Sequence, residues 1–204
     1  MHTDAQEVAE RGARPGRPAA TSRADLERVA LGLFRRDGFE ATTVDGIAEA
    51  AGIGRRTFFR YFASKNDVVW GDFDAGLATL RERLAAESGR PLLDALRVAV
   101  LAFNALDPTQ TPWHRERMEL ILRVPALQAH STLRYRAWRE VVAEYVGARV
   151  GEAPGALLPQ LVAHSCLGAA LTAYEQWLGC PEAELAPLLA EALEALDGRG
   201  AVEH

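Results

Sequence analysis

The chain has 204 residues, 49% of them hydrophobic and 25% charged, which is enough for a sizeable core and argues against wholesale disorder. No apolar run approaches the roughly 20 residues that span a bilayer, and the polar N-terminus does not read as a signal sequence, so the expected location is the cytoplasm. The formal net charge of −5 argues against a polyanionic partner until the chain is divided: residues 1–66 carry 11 Lys+Arg against 9 Asp+Glu, and residues 67–204 carry 12 against 19.

Residues 1–20, with Arg11, Arg14 and Arg17 set among Gly, Pro and Ala, bury too little apolar surface to fold alone and read as a flexible basic tail. A phosphate- or groove-contacting arm and a segment without function both fit this tail. Every later segment has helical periodicity with Gly or Pro between segments. Thr21 or Ser22 caps a first helix running to about Asp37, in which Leu26, Val29, Ala30, Leu33 and Phe34 form one face. Gly38 stops it. Thr43 caps a short helix, Val44 to Ala51, and Gly52 and Gly54 around Ile53 form the reversal of a helix-turn-helix.

The next helix, residues 54–62, lies in a stretch that holds Arg55, Arg56, Arg60 and Lys65, four aromatic rings and no carboxylate. At about 100° per residue, Phe58 and Phe62 share one face and Arg56 and Arg60 lie opposite, with Arg55, Thr57 and Phe59 on the flanks. The rings anchor the helix and the arginines face outward, an arrangement attractive to phosphate. Ser64 begins a further long helix with Asp67 completing an acidic capping box, and Gly89 and Pro91 end it. Helices follow over about Pro91–Leu106, Pro112–Arg123, Pro125–Val150 and Leu157–Leu178, then along the stripe Leu185, Leu188, Leu189, Ala192, Leu193, Leu196. Cys166 and Cys180 have no metal-type spacing and read as free thiols.

The run "ALGLFRRDGFEATTVDGIAEAAGIGRRTFFRYFASKNDVV" resembles the signature of the TetR family of bacterial regulators, with Phe34, Gly38, Phe39, Thr42, Thr43, Ile47, Ala48, Ala51, Gly52, Thr57, Tyr61, Phe62 and Lys65 at pattern positions. The match covers about the first 75 residues and is most similar to the mycofactocin-associated group. Two positions depart from the pattern: Gly54, where Ser is usual, and Phe59, where Tyr is usual and would donate a hydrogen bond to phosphate.

The resemblance implies an all-α chain of about nine helices, with a helix-turn-helix DNA-binding domain over 21–66 and an effector-binding and dimerisation domain over 67–204. It implies DNA contacts from Thr42, Thr43, Arg55, Arg56, Thr57, Phe59, Arg60, Tyr61 and Lys65. It also implies an effector pocket between the middle helices, for which Trp70, Phe73, Phe103, Trp113, Met118, Tyr135, Trp138 and Trp177 are candidates. Large apolar residues at helical spacing are equally the material of an ordinary core. His114, Arg117, Arg123 and Arg134 are available to meet a ligand's polar head or to form surface ion pairs. The dimer is expected through the last two helices, with Leu161, Leu171, Leu185, Leu189 and Leu193 supplying apolar area beside Gly168, Ala169 and Ala170.

The function expected is a ligand-responsive regulator, a repressor acting as a homodimer on a palindromic operator and released by an apolar effector such as a long-chain acyl-CoA. No cofactor, metal or membrane is expected. The chain has no Gly-x-Ser-x-Gly elbow, His-Glu-x-x-His, Walker loop or Glu-x-x-His pair, so it does not read as an enzyme. The alternative is a helical small-molecule-binding protein or enzyme in which the basic helix is incidental.

Overall fold

The computed structural model describes residues 22–105 and 111–197, and every regular element among them is a helix. The basic segment 1–20 lies outside the described residues. Helix α1 (Arg23–Asp37) starts on a reciprocal cap in which the Ser22 hydroxyl accepts from the Asp25 N–H while the Asp25 carboxylate accepts from the Ser22 N–H. Helix α2 (Val44–Ala50) starts where Thr43 Oγ1 accepts from the Gly46 N–H at 3.0 Å. Gly52, at φ 66°, supplies the left-handed residue that turns the chain toward α3 (Arg55–Tyr61).

The single long helix expected from Ser64 is broken. A one-turn helix α4 (Lys65–Val68) ends before Gly71, whose φ of 55° interrupts the helical path, and Asp72 then caps a separate α5 (Phe73–Ala86) by accepting from the Ala75 N–H. Nor does the expected capping box form, because the Ser64 hydroxyl donates to the Asp67 carboxylate at 2.7 Å instead of accepting from a backbone N–H. This break makes ten described helices where about nine were expected.

The remaining helices are α6 (Leu92–Phe103), α7 (Thr111–Arg123), α8 (Pro125–Val150), α9 (Leu157–Gly179) and α10 (Leu185–Ala195). Two apolar cores hold them. One joins Leu26 and Phe34 of α1, Ile47 of α2 and Phe58 of α3 to Val68, Met118, Ile121, Leu127, Trp177 and Leu189, so α1–α3 share a continuous interior with α7, α9 and α10. The other packs Leu80 and Leu84 of α5 against Leu96, Val142, Val146, Cys166 and Leu193.

Leu185, Leu189 and Leu193, expected at a dimer interface, are buried inside the chain because α10 turns its stripe toward α9 and α6. The exposed apolar surface of these helices is carried by Leu157 (84% exposed), Leu161 (57%), Leu158 and Leu196.

Candidate nucleic-acid interface and ligand cavity

The helix-turn-helix holds α3 by its inner face. Phe58 and Phe62 are buried, their rings 5.7 Å apart, and Phe59 stands edge-on to Phe58 while remaining 44% exposed. Burying a Phe ring is worth about 3 to 5 kcal/mol against Ala, so the orientation of α3 is fixed by its own aromatics. The opposite face carries exposed Arg56 and Arg60, with exposed Arg55 and half-buried Thr57 on the flanks. Two of these cations stand in the first turn of the helix, where the macrodipole disfavours them, and Gly54 offers no side-chain cap. A sequence selected for helix stability alone would place an acid there.

The three arginines differ in commitment. Arg55 Nη1 reaches both oxygens of Asp45 on α2 at 2.8 and 2.7 Å, so a carboxylate absent from the 52–65 stretch is supplied by the neighbouring helix. Arg60 lies over the Tyr61 ring and donates to its hydroxyl at 3.3 Å. Arg56 is exposed and makes no hydrogen bond or ion pair among the described residues.

Two expected contact residues also hold the loop between α1 and α2. Thr42 is buried and its hydroxyl donates to Gly38 O at 2.8 Å, tying down the α1–α2 loop. Lys65 Nζ donates to Phe39 O at 2.7 Å and Thr42 O at 2.9 Å and sits over the Phe39 ring, so it closes the same loop rather than standing free in solvent. Thr43 is exposed but its hydroxyl oxygen serves as the α2 cap.

A cavity of about 300 Å³ lies between α5, α6, α7, α8 and α9. Six of the eight aromatic and Met candidates line it: Trp70, Phe73, Phe103, Met118, Tyr135 and Trp138. Trp70 meets both Phe73 and Tyr135 edge-on, at 5.3 and 5.7 Å. Trp177 does not line the cavity; it is buried beneath Arg115, whose guanidinium lies 4.2 Å from the ring and donates to Trp177 O. Trp113 is half-buried outside the cavity. Of the four polar candidates, His114 and Arg117 line the wall, Arg123 is exposed, and Arg134 pairs with Asp67 and Asp74.

The cavity also contains a polar relay. Asn104 Nδ2 donates to Val100 O at 2.8 Å, which turns Oδ1 toward the Tyr174 hydroxyl, and that hydroxyl donates to it at 2.8 Å. Tyr174 has one hydroxyl hydrogen, so its 2.9 Å contact with His114 Nε2 is a donation from His114, leaving Nδ1 as an acceptor. Burial, reinforced by the nearby Arg117 charge, pushes the His114 pKa down to about 4, so the ring is neutral at pH 7. Burial raises the Tyr174 and Tyr135 phenols, which stay protonated. Tyr174 and Asn104 escaped the sequence reading because they are 70 positions apart; the one local signal was a phenol on the largely apolar α9.

Two sets of polar pairs tie α1 and α4 to helices that surround the cavity. Asp67 on α4 takes Arg134 at 2.9 Å and His130 at 3.1 Å from α8. Burial pushes the Asp67 pKa up, but Ser64, Arg134 and His130 outweigh it and hold the carboxyl below its usual value. Glu27 on α1 takes Arg117 at 3.1 Å and Arg23 at 3.5 Å.

Comparison with known proteins agrees with this geometry. Residues 28–69 match the model for bacterial regulatory proteins of the tetR family, and residues 90–200 match the MftR C-terminal domain. Over 184 residues, 90% of this chain and 93% of the relative, the sequence is 46% identical to a Mycobacterium tuberculosis protein assigned as the mycofactocin biosynthesis transcriptional regulator MftR. The structure of Thermus thermophilus FadR, a TetR-family transcriptional repressor in complex with lauroyl-CoA, aligns with a TM-score of 0.54 at 25% identity, covering 90% of this chain and 97% of that one. The fatty acid degradation regulator FadR of Bacillus halodurans shares the fold at a TM-score of 0.62 and 16% identity, covering 89% of this chain and 100% of that one. The chain belongs to the TetR family of bacterial transcriptional regulators and carries a C-terminal domain of the MftR type.

Proposed function

We propose that this regulator represses transcription as a homodimer on a palindromic operator, that mycofactocin biosynthesis genes are among its targets, and that an apolar acyl effector releases it. One observation carries the DNA-binding mode: α3 is locked by Phe58 and Phe62 on its inner face and leaves Arg56 and Arg60 exposed on the opposite face, with Arg55 exposed at the flank. In this reading phosphate contacts supply affinity and Arg56, the uncommitted cation, reads a base edge. Two copies of α3 must enter successive major grooves about 34 to 36 Å apart, which calls for a dimer. Leu157, Leu161, Leu158 and Leu196 offer an apolar surface for it on α9 and α10.

The effector reading is supported by the aromatic cavity and by the lauroyl-CoA complex of the Thermus relative. At about 300 Å³ the cavity is at the lower end of small-molecule sites, so a dodecanoyl chain fits with less rearrangement than an octadecanoyl one. The choice of target genes is supported by the likeness to the Mycobacterium regulator.

The test is fluorescence anisotropy with duplexes from upstream of the mycofactocin genes and with scrambled duplexes, over a salt series, with and without lauroyl-CoA and stearoyl-CoA. A salt-dependent preference for one palindrome, relieved by lauroyl-CoA at lower concentration than stearoyl-CoA, is expected. Equal binding to every duplex at all salt concentrations would leave α3 incidental and return the chain to a ligand-binding role without operator recognition.

A further inference from the structure

Arg117 occupies two sites at once. Its side chain lines the ligand cavity, and its Nη2 donates to Glu27 Oε2 at 3.1 Å on the DNA-binding side of the molecule. Glu27 also pairs with Arg23 at 3.5 Å. Arg23 in turn holds two backbone carbonyls: Tyr61 O, on the last residue of α3, at 3.0 Å, and Gly71 O, in the joint between α4 and α5, at 2.8 Å. Its guanidinium lies 4.5 Å from the Phe62 ring. Three side chains therefore run without interruption from the cavity wall to the end of the recognition helix.

The joint is built tightly around this chain. A Cβ on Gly71 would lie 3.3 Å from both Arg117 Nη1 and Glu27 Oε2, so the ion pair packs directly on the residue whose positive φ separates α4 from α5. Burial pushes the Glu27 carboxyl above its usual pKa against the opposing pull of Arg117 and Arg23, with the nearby Asp72 charge adding to the rise. A carboxylate in that setting gains from every cation it holds, and loss of one partner must be made up by the other.

We infer that Glu27 is the element through which cavity occupancy reaches α3. A ligand oxygen that accepts from Arg117 takes that guanidinium from Glu27; Glu27 then draws Arg23 to itself, and Arg23 releases Tyr61 O and Gly71 O. The recognition helix loses its tie at the moment the α4–α5 joint loses its own. This inference rests on the effector reading above and narrows it: the releasing ligand has an apolar chain ending in an acceptor oxygen, as in a fatty acid or an acyl thioester, whereas a chain of equal length without a strong acceptor fills the cavity and leaves DNA binding intact.

The coupling is reciprocal, which gives a readout that loss of structure would not produce. In Glu27→Gln, Arg117 is freed for ligand, so affinity for laurate, read from quenching of the cavity tryptophans, should rise roughly five- to tenfold, while no carboxylate remains to draw Arg23 from Tyr61 O and Gly71 O, so operator affinity should stay near the parent's and laurate should no longer displace operator. In Arg117→Gln, operator affinity should fall to the effector-bound level without effector, and the preference for laurate over 1-dodecanol should vanish. The double variant should regain operator affinity near the parent's, as Glu27→Gln has, while lacking the preference for laurate over 1-dodecanol, as Arg117→Gln does.

With the parent chain, laurate and lauroyl-CoA should displace operator and 1-dodecanol should not. If the parent is displaced by laurate but Glu27→Gln leaves laurate affinity unchanged, the Glu27 link is wrong and the effector reading stands. Displacement by 1-dodecanol as readily as by laurate would also overturn the link. If neither laurate nor lauroyl-CoA binds the parent, the effector reading falls and the link falls with it.

Discussion

Asp45→Asn should tighten DNA binding, although it removes an ion pair. In the free chain both Asp45 oxygens face Arg55 Nη1, at 2.8 and 2.7 Å, and the two side chains are 68% and 58% exposed. A pair this exposed is worth about 0.2 to 1 kcal/mol, and a phosphate competing for Arg55 must first overcome it. The Asp45 carboxylate, 68% exposed next to α3, also adds a negative charge where the backbone of DNA is expected. Removing it lowers the cost of transferring Arg55 to a phosphate by up to about 1 kcal/mol, roughly a two- to fivefold gain in affinity. Because phosphate contact carries no sequence information, operator and scrambled duplexes should gain equally. One additional neutralised phosphate should steepen the slope of log affinity against log salt by about 0.9. Asp45 also lies in the first turn of α2, so the variant should lose about 0.3 to 1 kcal/mol of stability, seen as a small drop in Tm. Anisotropy titrations over a salt series give both affinity and slope. If Asp45→Asn binds every duplex more weakly with an unchanged slope while its circular dichroism is that of the parent, Asp45 positions Arg55 for DNA instead of competing with DNA for it.

Arg56→Ala should cost roughly 1 to 3 kcal/mol in operator binding and relax preference at one position per half-site, measured with a panel of single-base operator variants. Lys65→Ala should act on stability instead, costing about 2 kcal/mol or more in denaturant unfolding by leaving Phe39 O and Thr42 O without their charged donor, with little change in salt slope. For His114, the folded ring titrates near 4 against 6.5 in the unfolded chain, so between those pH values the unfolded state binds the extra proton and stability falls as pH falls. The loss is up to about 3 kcal/mol, and His114→Gln should flatten that part of the stability–pH curve. Replacing Leu157 and Leu161 with Glu should yield monomers by sedimentation equilibrium that keep the parent's circular dichroism, since both are exposed in the single chain; an unchanged dimer would move the interface elsewhere.

The helix-turn-helix could be read from sequence because its determinants are local. Ser22 and Thr43 cap helices through bonds three residues long, Gly52 supplies a backbone conformation that few residues adopt, and the separation of Phe58 from the outward arginines follows from the pitch of one helix. The family pattern marks the same positions, and six of the eight large apolar residues that the resemblance suggested for a pocket line the cavity. Commitments made across the chain could not be read this way. Lys65 and Thr42 have the chemistry of DNA-contacting residues, and only packing shows that both serve a loop begun more than 20 residues earlier in the case of Lys65. Arg55 is partly neutralised by a residue ten positions away, and Leu189 turns inward because α10 folds onto α9. The Asn104–Tyr174–His114 relay and the Arg117–Glu27 pair join residues 60 to 90 positions apart, at distances of 2.8 to 3.1 Å. Periodicity and caps are encoded in neighbours along the chain and survive in any helix. Which polar group meets which depends on the angles and separations at which those helices pack, and these are set by the whole apolar interior at once.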